Sequence, residues 1–174
     1  MGRNIKKKFI KFIDIVPLLI VAVSSMIGII SGLRTSSHKI SVTGLWDALI
    51  NIGLIKKPDT ENIWLTVTIP NLLLSLKVGF LGLISGGLFT FPYLLSWWSL
   101  WVSIIKINSI NKSFFVIPES IGVTTVVISL IYMGLNYLIY KKWPRYQIIL
   151  FFLGVLLILI GGIIEQHEIS SFVK

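Results

Sequence analysis

Long apolar runs separated by short polar or basic blocks dominate the chain. A membrane span needs roughly 20 predominantly apolar residues to cross a hydrocarbon core about 30 Å thick. The pattern predicts an all-α fold, a polytopic membrane helical bundle of about five transmembrane helices, forming a single integral membrane domain over residues 1–174. The predicted spans cover residues 13–33, 71–90, 93–107, 119–140 and 147–164.

The apolar stretch over residues 69–105 determines the number of spans. As one helix it would be roughly 55 Å long, far more than a bilayer core requires. We predict two spans that fold back at Phe91-Pro92, with Gly86 and Gly87 weakening the helix nearby. Glycine in a helix is entropically costly and proline lacks the backbone N–H, so both favour a break.

The third predicted span is short and rich in tryptophan, with Trp97, Trp98 and Trp101. Tryptophan side chains are enriched at the membrane interface, so these residues are expected there. The span is then either tilted or re-entrant, and the sequence leaves both alternatives open.

The one long loop between the predicted spans contains an amphipathic segment at residues 43–56. Its apolar residues recur at helical spacing, and Pro58 closes the segment. We predict an interfacial helix lying on the membrane surface, while packing against the other spans is an open alternative. The apolar face contains Leu45, Trp46, Leu49 and Ile52, and Asp47, Asn51 and Lys56 fall elsewhere on the helical wheel.

Composition and charge agree with a membrane location. The chain is 55% hydrophobic and 13% charged, whereas soluble domains carry about 25% charged residues. The net charge of +9 is concentrated in blocks beside apolar runs, a placement that indicates membrane topology and anionic lipid, not nucleic acid. With five spans, the blocks at residues 1–11 and 141–145 both face the cytoplasm. A bacterial cell membrane protein with a cytoplasmic N-terminus and an extracellular C-terminus is therefore predicted.

Enzymatic motifs are absent from the sequence. It has no cysteine, no zinc-binding H-E-x-x-H, no G-x-S-x-G nucleophile turn and no P-loop. Its two histidines, His38 and His167, each lie near a predicted span end, and nothing around them in the sequence builds a base–nucleophile pair. The sequence therefore predicts no catalytic residues, no cofactor and no metal site, and any ATP-driven step would need a separate ATPase.

Polar residues at membrane depth are the candidate functional groups. Lys77, Glu119 and Glu165 lie in or at the ends of predicted spans, where ionisable groups usually face the bundle interior. Two alternatives remain open: a polar cluster in which Lys77 pairs with a carboxylate, or a lysine that extends outward along its aliphatic stem. Asn71 and Asn136 are candidates for hydrogen bonds between helices.

Small residues mark candidate helix-packing faces, because they allow helix backbones to approach closely in a membrane. A G-x-x-x-G motif lies in the first predicted span, and glycine pairs or near-pairs lie in the second and fifth. The candidate packing residues are Gly28, Gly32, Gly79, Gly82, Gly86, Gly87, Gly161 and Gly162.

Three features follow one another between Asn71 and Glu165. Asn71 opens a glycine-rich span, a proline–glutamate pair opens the next long span, and the last span ends in Gly161-Gly162 before a glutamate. In this order the chain resembles the stage II sporulation protein M family of bacterial multi-spanning membrane proteins. It departs from the family's pattern in two places. Residues 95–98 replace an asparagine–glycine pair, and Glu119 directly follows Pro118 with no intervening histidine.

The resemblance implies two functions. Short members of the family are similar to proteins encoded with circular bacteriocins, which implies a non-enzymatic accessory role in maturation, export or immunity. The implied partners are a hydrophobic bacteriocin peptide, a separate ABC ATPase, other membrane proteins and membrane lipids. The alternative is a scaffold that anchors a peptidoglycan-remodelling complex during sporulation engulfment. A membrane peptide ligase is a third, enzymatic hypothesis.

Overall fold

The computed structural model describes residues 2–34, 67–108 and 114–172, with side chains over residues 15–34, 67–106 and 114–167. These segments contain five helices and no strand. The predicted interfacial helix at residues 43–56 lies outside them. The helices are α1 (Gly2–Arg34), α2 (Ile69–Ile84), α3 (Thr90–Asn108), α4 (Val116–Tyr140) and α5 (Arg145–Phe172).

The predicted helical bundle is confirmed. In the described part of the chain, three segments are long and apolar enough to cross a membrane: Ile15–Arg34, Val116–Tyr140 and Arg145–His167. Helix α2 is apolar but has only 16 residues, which corresponds to roughly 24 Å. Large apolar side chains on α1 and α5 are exposed at the bundle surface, as expected of helices whose outer faces contact lipid.

Helices α1, α3 and α5 point in one direction, and α2 and α4 point in the other. Glycines in α1 lie against α3 in the same order along both helices: Gly28 meets Leu95, and Gly32 meets Ser99. Helix α2 is likewise parallel to α4, because Gly79 lies against Leu130 and Gly82 against Ile131. Helix α5 is antiparallel to α4, because Gly154 lies against Val126 and Gly161 against Glu119.

Helix α4 is the central helix, with α2, α3 and α5 packed around it. Its closest crossing is with α5, where Gly122 and Gly154 face each other. An added Cβ on Gly122 would lie 2.7 Å from the carbonyl oxygen of Gly154, so this approach excludes any side chain. The fully buried core residues lie along α4 and its neighbours: Leu94, Val116, Val123, Val126, Val127, Ile131 and Ile158.

The turn between α2 and α3 occupies residues 85–89, so the prediction of a fold-back at Phe91-Pro92 is wrong. Helix α2 ends at Ile84 because Gly86 and Gly87 have φ of 63° and 99°, a left-handed backbone that other residues rarely adopt. The Gly87 N–H donates to the Gly82 carbonyl at 2.6 Å, closing the helix end as in a Schellman motif.

Several predicted boundaries and roles change accordingly. The second span ends at Ile84 instead of residue 90, and Pro92 lies in the first turn of α3, where proline is tolerated. Gly86 is not a packing residue, because an added Cβ there would meet nothing within 4 Å. Gly87, in contrast, lies against Pro17 of α1.

Candidate functional site

The candidate site surrounds Glu119 in the first turn of α4. Its side chain is only 1% exposed. Asn71 Nδ2 donates a hydrogen bond to Glu119 Oε1 at 2.7 Å. The other oxygen, Oε2, is buried and has no hydrogen-bond partner among the described residues. The carboxyl group therefore has one satisfied oxygen and one that could bind a polar group.

Local sequence explains why both side chains lie at this end of the bundle. Pro70 and Pro118 lie near the starts of α2 and α4, where proline's fixed φ suits the first helical turn. Because α2 and α4 are parallel, these first turns are neighbours, and Asn71 reaches Glu119 across the interface. The N-terminal end of a helix also favours a negative group.

An aromatic row closes one side of the site. Tyr93, Trp97 and Trp101 follow one another every four residues along α3, and their ring centroids are 5.8 Å and 5.6 Å apart. Phe115 continues the row at 5.9 Å from Trp101. The row ends in Tyr93, which lies beside Ser75 and Glu119.

Trp97 and Trp101 are both buried in the bundle, so their rings contact other helices, and their interfacial location stays a prediction. Trp97 Nε1 donates to the hydroxyl of Ser120 at 3.2 Å, so its polar atom is satisfied by α4. Trp98 Nε1 similarly donates to Thr124 at 3.2 Å. The indole groups thus connect α3 to α4 through hydrogen bonds inside the bundle.

Glu165 lies at the same end of the bundle as Glu119. Gly161 allows α5 to approach, since an added Cβ would lie 2.9 Å from Glu119 Cβ, and Gly162 lies against Thr68. Glu165 is one helical turn beyond Gly161 and is 5% exposed. We call Thr68, Asn71, Ser75, Glu119, Ser120 and Glu165 the buried polar cluster.

Lys77 does not belong to the buried polar cluster. Its side chain is exposed and lies with Leu76, Phe80 and Leu81 around a groove on the outer surface of α2. Position 77 falls on a different side of α2 from Asn71 and the buried Ser75. The alternative in which Lys77 points inward toward a carboxylate is therefore wrong, and the outward orientation is observed.

The two asparagines differ in their partners. Asn71 donates across a helix interface, whereas Asn136 Nδ2 donates to the Tyr132 carbonyl of its own helix at 2.8 Å. The prediction of an interhelical bond for Asn136 is wrong. A carbonyl four residues earlier is within reach of a short amide side chain in any helix, and here it takes that donor.

Sequence reasoning missed several residues of this region. Ser75 donates to the Asn71 carbonyl at 2.7 Å, and Ser120 accepts the indole N–H. The four-residue spacing of Tyr93, Trp97 and Trp101 was a usable signal, since it places three aromatic rings on one helix face. Serines within apolar runs carry no comparable signal.

The chemistry of the cluster is that of hydrogen bonding and charge. In the described part of the chain, no group of three histidine or acidic residues could hold a metal ion. An ionised Glu119 offers an acceptor at Oε2, and a protonated one offers a donor. No protein-family model matches the chain, and no curated protein or solved structure is significantly similar to it.

Proposed function

We propose that this protein is a membrane accessory protein that binds a hydrophobic, membrane-active peptide. Following the resemblance, the peptide is a circular bacteriocin, and the protein serves its maturation, export or immunity beside a separate ABC ATPase. The protein itself carries out no chemistry in this proposal. It provides a polar binding position inside an apolar bundle.

The observation that carries the proposal is the unpartnered Oε2 of the buried Glu119. A buried polar atom without a partner loses hydration that no hydrogen bond replaces, at a cost of about 1–3 kcal/mol. Ionisable groups at membrane depth are costly and usually mark binding or transport sites. An amide or ammonium group of a bound peptide would satisfy this oxygen.

A topology of five spans accompanies the proposal. The alternating directions of the five helices support it, because they place the start of α1 and the α4–α5 connection at one end of the bundle. The positive-inside rule assigns that end to the cytoplasm, owing to the basic residues at 1–11 and 141–145. The buried polar cluster then lies toward the outer leaflet, where an exported peptide would be received.

The test replaces Glu119 with glutamine in the native host. The amide oxygen can still accept from Asn71, whereas the free oxygen becomes an NH₂ group. We expect Glu119→Gln to reduce release of the peptide and to reduce survival of cells to which the peptide is added. The membrane level of the protein should be unchanged. Lys77→Met is the control, since it removes an exposed ionisable group, and it should behave as the original protein does.

Two outcomes would contradict the proposal. One is normal release and survival with Glu119→Gln at a normal membrane level. The other is that deletion of the gene changes neither trait but blocks engulfment, and that cell-wall hydrolases co-purify with the protein. That result would support the scaffold alternative. If Glu119→Gln lowers the protein level, Asn71→Asp provides a second variant that changes the same hydrogen bond from the other helix.

A further inference from the structure

A cavity of about 500 Å³ lies at the opposite end of the bundle from the buried polar cluster. Helices α1, α4 and α5 enclose it, and the connection between α4 and α5 borders it. Its size is within the range of about 300–1,000 Å³ that small-molecule sites occupy. The lining that bears on its chemistry comprises Leu18, Ser129, Asn136, Tyr146, Gln147 and Leu150.

Two polar side chains in the cavity wall have unused hydrogen-bonding capacity. Gln147 is 3% exposed and Ser129 is 1% exposed. Gln147 Oε1 and Ser129 Oγ are both buried and have no hydrogen-bond partner among the described residues. They come from different helices, α5 and α4, and both line the same cavity. Together they offer an acceptor and a hydroxyl to a ligand.

The rest of the lining is apolar or amphipathic. Leu18 and Leu150 are exposed at the bundle surface, so the cavity is continuous with the surface that faces lipid. Tyr140 and Tyr146 are also exposed at its edge. A ligand that fits must therefore combine a hydrogen-bonding group with an apolar portion that extends into the bilayer.

Positive charge is concentrated beside the cavity. Lys141, Lys142 and Arg145 are all exposed and lie in or next to the short α4–α5 connection. Lys141 has a left-handed φ of 54°, and its Nζ lies 5.5 Å from the centre of the Tyr137 ring. Basic pockets between membrane helices commonly bind anionic lipid head groups.

We propose that this cavity binds one anionic glycerophospholipid whose head group carries hydroxyls, a lipid of the phosphatidylglycerol type. A head-group hydroxyl donates to Gln147 Oε1, and a second exchanges a hydrogen bond with Ser129. The phosphate lies toward Lys142 and Arg145, which neutralise its charge. The acyl chains follow the apolar surface beside Leu18 and Leu150.

The alternatives of related chemistry each lack at least one requirement. A phosphatidylcholine has no hydroxyl donor and no net charge. Phosphatidylmethanol has the charge but no head-group hydroxyl. A soluble phosphodiester such as glycerophosphoglycerol has the charge and the hydroxyls but no acyl chains. Comparing these four compounds separates charge, hydroxyl recognition and lipid anchoring.

The experiment uses the full chain purified in a neutral detergent, with binding measured by native mass spectrometry and thermal shift. We expect phosphatidylglycerol to bind about tenfold more tightly than phosphatidylmethanol, the effect of roughly one added hydrogen bond. Phosphatidylcholine and glycerophosphoglycerol should bind most weakly. Equal affinity for all three lipids, or tight binding of the soluble phosphodiester, would overturn the proposal.

Variants assign the effect to named residues. Gln147→Met should remove the preference for phosphatidylglycerol over phosphatidylmethanol while leaving phosphatidylmethanol binding unchanged. Lys142→Gln should weaken both anionic lipids by about fivefold, since a basic residue near a charged lipid contributes about 1 kcal/mol. Lys77→Met removes a charge on α2, away from the cavity, and should change neither affinity.

Loss of the lipid preference in Gln147→Met could come from unfolding of the variant instead of lost binding. If Gln147→Met does not fold, Ser129→Ala tests the same preference from the other wall, and the four-compound comparison on the original chain still decides. A preference that survives both Gln147→Met and Ser129→Ala would overturn the assignment of hydroxyl recognition to this cavity.

Discussion

The two ends of the bundle differ in what surrounds their buried polar side chains. Each has buried polar side chains inside an apolar helix assembly. At one end, Glu119 accepts a hydrogen bond from Asn71 and lies beside Tyr93 of the aromatic row. At the other end, Gln147 and Ser129 line a cavity. The comparison teaches that the space beside a buried polar group limits what it can bind: a single polar group at Glu119 Oε2, and a larger ligand in the cavity beside Gln147 and Ser129.

The contacts between α4 and α5 also differ at the two ends. Gly122, Gly154 and Gly161 lie at the α4–α5 contacts nearest the buried polar cluster, so the backbones touch there. Toward the other end, Tyr132 lines the cavity and Tyr146 is exposed at its edge. Close glycine contacts join α4 and α5 at one end, and the cavity lies beside them at the other.

The largest loss of stability is expected when the glycine crossing between α4 and α5 is opened. We expect Gly122→Leu to destabilise the bundle by 3 kcal/mol or more, about the upper end of overpacking effects, because the added side chain meets the Gly154 backbone. Unfolding in mixed micelles measures this, with the half-exposed Ile121→Ala as control. A stable Gly122→Leu variant would show that the two helices can separate without loss.

Removing Asn71 tests the closed end. Asn71→Leu removes the donor to Glu119 Oε1, so we expect a loss of about 1–3 kcal/mol in unfolding free energy. The double variant Asn71→Leu with Glu119→Leu removes both partners and should recover much of that loss. Additive effects in this double-mutant cycle would mean that the hydrogen bond contributes no coupling.

Removing Gln147 tests the open end, and here the expected sign is reversed. Without lipid, Gln147→Leu removes a buried acceptor that has no partner, so stability should be unchanged or rise by up to about 1 kcal/mol. The same unfolding assay in lipid-free detergent measures it. A loss as large as that of Asn71→Leu would mean that the two ends do not differ in the way described.

The smallest effect is expected at Lys77. Its side chain is exposed, so Lys77→Met should change the unfolding free energy by less than about 0.5 kcal/mol. Unfolding measured at low and high salt would detect an ion pair if one formed. A salt-dependent loss would place Lys77 in an electrostatic contact with another charged residue.

Sequence reasoning found the residues that stand out against apolar runs. Asn71, Glu119 and Glu165 were named because polar groups are conspicuous there, and all belong to the buried polar cluster. The break near Gly86 was also visible, since glycine and proline were close together. Its position was wrong because the sequence alone does not show which of the two residue types sets the turn; positive φ at Gly86 and Gly87 sets it.

The contacts that each polar residue makes were harder to predict than the polar residues themselves. The rotation of α2 about its axis decides whether Lys77 or Asn71 faces inward, and that rotation depends on α4, some fifty residues away in the chain. Nothing local indicates that α2 lies parallel to α4. The cavity was missed for a related reason: Ser129 and Gln147 are ordinary polar residues until two helices place them on one wall.

The parallel pairing of α1 with α3 and of α2 with α4 constrains how the protein is made. A chain is synthesised from its N-terminus, so α1 enters the membrane before the helix that covers Gly28 and Gly32 exists. Helix α2 likewise waits for α4 before Asn71 meets Glu119. Each partner is separated from its mate by an intervening helix, so each pair can form only after its later helix, α3 or α4, has been synthesised.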